Sequence, residues 1–508
     1  MKLTRTVALG LALSAKHNLA MAITDSSSSG RHSSGTGACC LALSSVLGDK
    51  VSFPKTSEYN ASLNYFSQQN ANFQPACIVS PTESEDVSTA ISILTSPKST
   101  HQSKCQFAIR SGGHASQVGV SNINGGVTFD LSRLNTLHLS DDRTALSAGA
   151  GATWGEVYAF LDSQRLSAAG GRANQVGVGG LTVGGGISYY GPRYGWTCDT
   201  VTEFEVVLAG GKVIKANKHE NPDLLTALRG GGNNFGIVTK VTLNVFEQGP
   251  IWAGSVYYSV DTIDDQLRAF EKLNDANGYD EYASLITSFG FATGRTAIVN
   301  SIVYTKAEEN PKVYEPFTDI PSLMSTVHVR SMQDMSIEQG SFSPDGNRQK
   351  DVVITHGTSF DMLKAVYNRW NASRSVVEGI SGLSWSISLE PLPPAIYARN
   401  LHSNSLGLDD TSGALVITLL AATWSDAADD AKIEKAARDL FDGIEEDARR
   451  LKMYHPFKYM NYAAEYQDPI ASYGKESVEF LKKVRREYDP HGVFHKDVPG
   501  GFKIPGGH

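Results

Sequence analysis

The chain of 508 residues lacks several features that would place it in a common class of protein. Its five cysteines are too few for a disulfide scaffold and show none of the paired C-x-x-C spacing of a zinc module, so no metal site is predicted. After the N-terminal segment no apolar run is long enough to span a bilayer, and we expect no membrane partner. The formal net charge is −8 with no run of like charge, which argues against nucleic acid as a partner.

The motifs of common nucleotide-binding and hydrolytic enzymes are missing as well. No G-x-G-x-x-G both follows a predicted strand and opens a helix, and there is no G-x-x-x-x-G-K-[ST] phosphate loop. His219 and Glu220 have no second histidine at the spacing of a zinc protease, and no G-x-S-x-G marks a nucleophilic serine. These absences argue against the usual nicotinamide, ATP, zinc-protease and α/β-hydrolase sites.

The first 22 residues have the pattern of a secretory leader. Lys2 and Arg5 precede an apolar stretch from Val7 to Ala15, and Ala20 and Ala22 provide the small residues that signal peptidase accepts. Polar residues directly after the apolar stretch leave a simple N-terminal extension open as the alternative. We predict a signal peptide over residues 1–22 and a secreted protein.

Other features fit passage through a secretory compartment. Asn60 and Asn371 each begin an Asn-x-Ser sequon for N-glycosylation. One or two disulfides are expected there, and we predict a bridge from Cys40 to Cys105, while the odd cysteine count leaves at least one thiol unpaired. Residues 23–50, which begin rich in serine and glycine, are predicted to form a flexible segment.

The remaining chain shows two textures. Up to about residue 248, short strands such as Gln106–Arg110 alternate with helices, one of which has a capping box of Thr153 and Glu156. From about residue 250 to 453 the segments are longer, glycine is rarer, and strand-like runs such as Ser384–Leu389 appear. The pattern predicts an α+β protein with a second domain in this part of the chain.

Glycine is concentrated between Gly170 and Gly195, where it occupies ten of the 26 positions against about two at average usage. Backbone without side chains can approach a ligand closely and expose N–H groups that cradle a pyrophosphate. A series of tight turns and bulges would give the same composition. Taken alone, this segment leaves both interpretations open.

Four segments together indicate a family. Arg110 to His114 read R-S-G-G-H, Val176 to Gly186 read V-G-V-G-G-L-T-V-G-G-G, and Gly230 to Val238 read G-G-G-N-N-F-G-I-V. Near the C-terminus, Tyr459 to Tyr462 read Y-M-N-Y. In this order and spacing the chain resembles the berberine-bridge-enzyme-like branch of the vanillyl-alcohol oxidase/p-cresol methylhydroxylase (PCMH) superfamily of FAD enzymes, and its fungal members most.

The resemblance implies a PCMH-type FAD-binding domain in two parts, residues 51–248 and a returning C-terminal segment, residues 455–508. Between them it implies a substrate domain, residues 249–454, built on an antiparallel sheet covered by helices. It also implies covalent attachment of the flavin 8α-methyl to His114. The residues implied to bind FAD are Arg110, Ser111, Gly112, Gly113, His114, Val176, Gly177, Gly179, Gly180, Gly184, Gly185, Gly186, Gly236 and Val238.

The chain departs from the family pattern at Ala173. Many relatives carry a cysteine there that bonds flavin C6, so we predict a single histidyl link and no 6-S-cysteinyl link; Cys198 lies well past the loop. Val176 matches the position where relatives with a small residue admit oxygen to the flavin. The resemblance therefore favours an oxidase that uses dioxygen.

The acid–base partner is less defined. In relatives a Glu or Gln often stands on the strand that corresponds to Ala414 to Leu420, which here offers no carboxylate or amide. Tyr459 and Tyr462 are the remaining candidates for catalytic groups, with Asn461 orienting them, although tyrosines at such places are often core residues. His402 and Asn404 are predicted to line the substrate pocket, or else to be surface polar residues.

The function expected is hydride transfer to FAD from an alcohol, amine or activated C–H of a small molecule of specialised metabolism, with dioxygen reoxidising the flavin to give hydrogen peroxide. A carbohydrate oxidase is one alternative, disfavoured by Ala173 and by the apolar strand from Val416 to Leu420. An enzyme that uses FAD as a scaffold for oxidative cyclisation or cycloaddition is another. The oligomeric state is left open.

Overall fold

The computed structural model describes residues 34–96 and 105–506. The predicted signal peptide, residues 1–22, and the first part of the predicted flexible segment lie outside the described residues. Within the described ranges helices and strands are mixed along the chain, which confirms the α+β fold class. No helix in these ranges is long and apolar enough to cross a membrane.

The structure corrects the expectation for residues 34–50. Ser34–Leu47 is an α-helix and Gly48–Lys50 a turn of 3-10 helix, where a flexible segment was predicted. The helix buries Leu43 completely against the core that follows. A serine- and glycine-rich composition thus gave way to tertiary contacts and to covalent links that the sequence pattern did not reveal.

Two disulfides hold this helix, and the predicted pair of Cys40 with Cys105 is wrong. Cys39 is bonded to Cys105 and Cys40 to Cys77. Adjacent residues on a helix point about 100° apart, so neighbouring cysteines reach different partners. Cys198 is the free, buried cysteine among the described residues.

Two sheets form the first part of the chain. The first sheet has four strands, with one antiparallel and two parallel pairings, in the order Val51–Ser52, Cys77–Val79, Val127–Asp130, Phe107–Arg110. The second sheet has five antiparallel strands in the order Leu137–Leu139, Ala145–Gly149, Ile237–Asn244, Val201–Val207, Val213–Asn217. A separate ribbon pairs Leu166–Ser167 with Phe246–Glu247.

A large antiparallel sheet occupies the middle of the chain. Its strands follow the order Met324–Ser325, Ile251–Tyr258, Arg295–Tyr304, Ala283–Ala292, Ser384–Leu392, Leu415–Trp424, Arg348–Gly357 and Tyr454–His455, with His328–Arg330 also pairing with Ile251–Tyr258. Helices Ile263–Leu273, Phe360–Val377 and Asp430–Arg450 pack their apolar stripes on one face of it. The expected antiparallel sheet covered by helices is therefore confirmed.

The other helices lie mainly around the first two sheets and in the C-terminal segment. They are Ser57–Ala61, Gln68–Ala71, Ser84–Leu94, Trp154–Asp162, Val178–Val183, Gly191–Tyr194, Pro222–Leu228, Glu315–Thr318, Met332–Gly340, Pro394–Tyr397, Pro469–Ser472, Gly474–Tyr488 and Val493–Lys496. The predicted capping box at Trp154–Asp162 is present, because the Thr153 backbone N–H donates to Glu156 at 2.8 Å.

The C-terminal segment packs on the first part of the chain. The Phe107 backbone N–H donates to the Asp497 carbonyl at 2.8 Å, and the Phe107 ring meets Phe494 edge-to-face at 6.2 Å. The Asn234 amide donates to the Phe502 carbonyl at 3.0 Å. These contacts agree with a returning segment, while the boundaries at residues 248 and 454 stay predictions.

The two faces of the large sheet differ. Residues that alternate along its strands, such as Trp385 and Ile387, are fully buried under the helices. On the opposite face a group of small or aliphatic residues stays partly exposed, and we call this group the open rows. The open rows are Ser288, Gly290, Ala297, Val299, Ser386, Ser388, Leu419 and Ala421.

Candidate active site

The first two predicted glycine segments lie back to back. A Cβ atom built on Gly112 would stand 2.6 Å from the Gly177 nitrogen, and one built on Gly177 would stand 2.3 Å from the Gly112 nitrogen. Ser111 joins them to the second sheet by donating to the Ala150 carbonyl at 2.6 Å. Only glycine allows this approach of two backbones.

The backbone beside these segments is open within residues 176–181, and we call this strip the groove. Gly180 is exposed, and a Cβ atom placed there would meet nothing within 4 Å. Val176 and Leu181, on either side of it, are partly exposed although both are apolar. A strip of backbone bordered by apolar side chains suits a flat ligand that carries a pyrophosphate.

The end of the second glycine segment, Gly184 to Gly186, packs on the C-terminal Y-M-N-Y motif. Gly185 and Gly186 have φ values of +109° and +88°, which side chains other than glycine rarely adopt. A Cβ atom on Gly184 would stand 2.0 Å from the Asn461 side-chain oxygen. The motif therefore fits against bare backbone.

Tyr459 braces this turn. Its hydroxyl oxygen accepts hydrogen bonds from the backbone N–H groups of Gly186 and Ile187, each at 3.1 Å, and from the Asn461 amide at 2.9 Å. Asn461 also donates to the Leu181 carbonyl at 3.0 Å. Burial raises the pKa of the Tyr459 phenol. Tyr459 and Asn461 thus position the glycine turn, and this acceptor oxygen is not free to take a substrate proton.

Tyr462, next to this turn, belongs to a different arrangement. Its hydroxyl donates to a carboxylate oxygen of Glu390 at 3.2 Å, and it receives a hydrogen bond from the Arg172 guanidinium. Arg172 also forms an ion pair of 2.8 Å with the same Glu390 oxygen. We refer to these three residues as the Arg172–Glu390–Tyr462 cluster.

The cluster is almost closed to solvent. The side chains of Arg172 and Glu390 are 10% and 4% exposed. Burial by itself would lower the pKa of Arg172, but the Glu390 carboxylate raises it above its usual value, so the guanidinium stays charged. Burial also raises the pKa of Tyr462, against the pull of Arg172. A buried charge pair of this kind depends on both members, because either one alone would be an uncompensated charge.

A helix covers the loop that carries Arg172. In Met332–Gly340, the Ser336 carbonyl accepts the Asn174 backbone N–H at 3.1 Å and the Gly340 carbonyl accepts the Gln175 side chain at 3.2 Å. Gln339 of the same helix accepts from Tyr189 at 3.0 Å. These bonds fix the loop between the helix and the glycine segments.

His114 stands apart from that network. Its ring stacks on Phe66 with 4.0 Å between centroids. Among the described residues no group hydrogen-bonds to its imidazole nitrogens, and the side chain remains partly exposed. The packed surroundings nevertheless lower the pKa of His114 to about 4 by desolvation. At neutral pH the ring is therefore uncharged, with a nitrogen lone pair available to a ligand.

These features can be compared with known proteins. A family model described as an FAD binding domain matches residues 75–217, which include His114 and the first glycine segments. The FAD-dependent monooxygenase CTB5 of Cercospora beticola is 36% identical over 482 residues, which are 92% of each chain. The chain belongs to the family of berberine-bridge-enzyme-like FAD oxidoreductases. Its fungal affinity, its fold and its class as an FAD-dependent oxidoreductase are thereby confirmed.

Two further likenesses are of different kinds. Oligopeptidase PhomG' of Diaporthe leptostromiformis is 41% identical over 470 residues, which are 91% of this chain but 37% of that protein. The chain spans little more than a third of that relative. The solved structure of xylooligosaccharide oxidase from Myceliophthora thermophila C1 has a TM-score of 0.75 at 19% identity, covering 92% of this chain and 99% of that one. This likeness concerns the fold.

The residues of this FAD oxidoreductase fit the cofactor. The open backbone at Gly180 leaves room that a side chain would take up, and the contact between Gly112 and Gly177 holds the two segments together beside it. His114 turns unpartnered nitrogens to open space. Gly236 packs against Val206 in the second sheet. A Cβ atom built on Gly236 would stand 2.4 Å from the Val206 side chain.

Three other implied residues, Arg110, Gly113 and Val238, support the loops and the second sheet. Arg110 sends its guanidinium away from the groove, over the Tyr65 ring at 4.2 Å and toward Asp130 at 3.7 Å. Gly113 has a φ of +70°, which turns the chain toward His114. Val238, 9% exposed, pairs with Val206 in the second sheet.

The structure places His402 and Asn404, which were predicted to line the pocket or else to be surface residues, in one loop. His402 is exposed on a turn. Asn404 donates to Asp199 at 2.7 Å and accepts from the Leu406 backbone at 3.1 Å, so both ends of its amide are occupied. Neither forms a hydrogen bond with the Arg172–Glu390–Tyr462 cluster. Their loop instead packs Leu406 beside the backbone of Gly185.

Glu390 was not among the predicted site residues, because relatives often carry the acid–base residue on the neighbouring strand, Ala414 to Leu420. Glu390 pairs with Ile417 of that strand across the sheet. The signal was present, since Ser384, Ser386 and Ser388 alternate with apolar residues and Glu390 continues their face. A carboxylate at the end of a polar face next to a buried core required a partner of opposite charge.

Proposed function

We propose that this FAD oxidoreductase carries its flavin on His114 alone and oxidises a small organic molecule of specialised metabolism, with dioxygen as electron acceptor and hydrogen peroxide as product. The observation that carries the oxidation proposal is the Arg172–Glu390–Tyr462 cluster, which places a hydroxyl, a carboxylate and a fixed positive charge beside the glycine segments. Bound FAD supplies the hydride acceptor.

The cluster supplies the proton acceptor. Removal of hydride from an alcohol or amine carbon requires that the substrate O–H or N–H lose its proton. Tyr462 takes that proton on its oxygen and passes its own to Glu390, 3.2 Å away. Arg172 donates to both oxygens and keeps them in place as the proton moves. The tyrosine that the sequence singled out is thus given a role with two partners.

Single attachment is supported by what lies near the flavin segments. Ala173 cannot form a thioether. Cys198 is fully buried, and burial raises the pKa of its thiol well above the usual value, so it is held as an unreactive thiol. His114 offers a neutral imidazole to the ligand space.

The open rows suggest the substrate class. Ser288 and Ser388 share a hydrogen bond of 2.8 Å, so part of their polarity is satisfied, and Leu419 and Val299 beside them are apolar. Such a floor fits a compact, partly apolar molecule better than a surface of unpaired donors would. A carbohydrate oxidase is the alternative, favoured by the serine hydroxyls and by the fold shared with a sugar oxidase.

A second candidate reaction follows from the relative named an FAD-dependent monooxygenase. A monooxygenase places one oxygen atom of dioxygen in the product, whereas an oxidase releases both as hydrogen peroxide. Turnover under isotopically labelled dioxygen distinguishes them: we expect one peroxide per substrate and no label in the product. Label in the product would replace the oxidase by a monooxygenase, and an isomeric product formed without oxygen uptake would indicate a flavin-scaffolded cyclase.

We also propose that the protein is secreted. The two disulfides and the exposed positions of Asn60 and Asn371 support this. Expression in a fungal host should release a chain that starts near residue 23 and loses mass on treatment with an N-glycosidase. A chain retained in cells with Met1 intact would contradict the proposal.

A further inference from the structure

A second carboxylate stands on the open face of the large sheet. Asp351 belongs to Arg348–Gly357 and is paired with Ala421, which in turn is paired with Ser386. These small neighbours leave its side chain uncovered, and it remains partly exposed. Unlike Glu390, it forms no ion pair within residues 34–96 and 105–506, and its hydrogen-bonding neighbour there is the Ser116 hydroxyl.

The strand of Asp351 is fastened to the segment that stacks on His114. The backbone of Gln68 donates to the Asn347 carbonyl and the side chain of Gln69 to the Gln349 carbonyl, each at 2.8 Å. Two residues before Gln68, Phe66 stacks on the His114 ring. The residues at the start of strand Arg348–Gly357 and the His114 ring therefore both contact the segment from Phe66 to Gln69.

The loop after His114 is bound to the same segment through Asn70. Asn70 donates to the Ala115 carbonyl at 3.2 Å and to the Gln117 carbonyl at 2.9 Å. Between these carbonyls, the Ser116 hydroxyl lies near enough to Asp351 to lower its pKa by hydrogen bonding. Asp351 thus faces the residue two positions after His114.

The charged groups around Asp351 leave it as the one that titrates near neutrality. Burial raises the pKa of Asp351 to about 6, and Glu465 adds to this while Ser116 and Lys350 oppose it. Glu465 itself is paired with Lys350 at 2.5 Å, which helps to lower the pKa of Glu465. His114, with a pKa of about 4, is already neutral.

We propose that Asp351 is the proton acceptor for attachment of the flavin to His114. The inference rests on the proposed covalent link. The imidazole of His114 and the carboxylate of Asp351 are tied to the same segment by hydrogen bonds of their neighbours, and both side chains are partly exposed. Neither forms an ion pair within the described ranges. The imidazole is suited to form a bond and the carboxylate to receive a proton.

The step balances with dioxygen as oxidant. A bond forms between an imidazole nitrogen and the 8α carbon, while a C–H bond of that methyl group and the imidazole N–H bond are lost. The methyl proton goes to Asp351 and from there to solvent. Two electrons and two protons reach dioxygen, so the sum is flavin methyl, histidine and dioxygen giving the histidyl link and hydrogen peroxide.

The test follows attachment directly. The full chain is expressed under riboflavin limitation, FAD is added, and the fraction of flavin that stays with acid-precipitated protein is measured over time. Wild type is compared with Asp351→Asn, Asp351→Glu and His114→Ala. Asp345→Asn is the matched control, because Asp345 is another carboxyl whose pKa burial raises but lies on an exposed turn.

We expect Asp351→Asn to bind FAD but to attach it about a hundredfold more slowly, as for the loss of a general base. Asp351→Glu should recover most of the rate, and Asp345→Asn should match wild type. The wild-type rate should rise through pH 6, where Asp351 ionises, and the Asn variant should lose that rise. Total bound flavin and the melting temperature verify that each variant is folded.

The outcomes separate the two proposals. If Asp351→Asn attaches flavin at the wild-type rate with the same pH profile, the role of Asp351 is wrong and the histidyl link stands. If wild type itself retains no flavin after acid, the covalent link proposed above is wrong, and this inference falls with it. If Asp351→Asn folds but binds no FAD, Asp351 acts in binding and not in attachment, which also overturns the proposal.

Discussion

The two ends of the candidate site are built in opposite ways. At one end, Arg172, Glu390 and Tyr462 are locked together by an ion pair and hydrogen bonds. At the other end, His114 and Asp351 form no ion pair among the described residues, and both side chains are partly exposed. A group that must hold a substrate proton at a fixed place benefits from rigid partners, whereas a group that must form a new bond has to be left unpaired.

The comparison predicts that the paired end controls turnover. Glu390→Gln keeps the shape but removes the proton acceptor of Tyr462, so we expect flavin reduction by substrate to slow by a factor of about 10²–10⁴. The rate of flavin bleaching under nitrogen measures this. Glu378→Gln, the same change at an exposed carboxylate that ends helix Phe360–Val377, should change the rate little. Equal losses in both variants would contradict the assignment of Glu390.

The paired end should also be the more costly to disrupt. Arg172→Met leaves Glu390 as a buried charge without its partner, which should lower the free energy of unfolding by about 3–5 kcal/mol. Replacing both residues by methionine should restore most of that stability, because no charge is then left alone. Denaturant unfolding of the three proteins measures the difference. Additive losses in the double variant would contradict a coupled pair.

Flavin binding in the groove should depend on the close backbone contact between Gly112 and Gly177. Gly112→Ala brings a methyl group to 2.6 Å from the Gly177 nitrogen, so we expect a loss of about 1–3 kcal/mol in stability and of bound flavin. Gly180→Ala, which meets nothing within 4 Å, should retain the fold. Thermal unfolding and the ratio of flavin to protein absorbance check both. A Gly112→Ala protein that keeps wild-type flavin and stability would contradict the packing of the two segments.

The smallest effect concerns pH and lies outside both ends. Burial lowers the pKa of His356 to about 4 from an ordinary value of 6.5, so the unfolded chain takes up this proton first as pH falls. Its contribution to stability is therefore present above pH 6.5 and is lost toward pH 4. His356→Gln should flatten the fall of melting temperature in this window, and the same change at the exposed His328 should not. Equal slopes in both variants would contradict this.

The sequence allowed prediction of those candidate-site residues that lie in local sequence patterns. Glycine runs and the R-S-G-G-H segment predicted the groove and His114, since close backbone contact and a histidine after a tight turn leave a mark on neighbouring residues. Tyr462 was also named in advance. Tyr459 was named with it, but its oxygen accepts hydrogen bonds from two backbone N–H groups. The partners of each tyrosine are distant in the chain, 273 and 272 residues away for Tyr459, so the sequence does not show them.

What the sequence missed depends on pairing between distant segments. Arg172 and Glu390 are 218 residues apart and meet only because one strand of the large sheet ends beside the glycine loop. Likewise, Cys105 pairs with Cys39 and not with Cys40 as predicted, because the direction in which each side chain leaves the helix decides its partner. Asn404 looked like a pocket residue because a polar loop side chain gives no sign of the Asp199 carboxylate that occupies it.

The central claim is that His114 forms the bond to the flavin and that no second bond exists. Mass spectrometry of the tryptic peptide that follows Arg110 tests it most directly, in protein purified from the medium. We expect one FAD on His114, an unmodified Cys198, and no adduct in His114→Ala. Unmodified His114 together with freely dissociating flavin, or a flavin adduct on any other residue, would show that the proposed attachment is wrong.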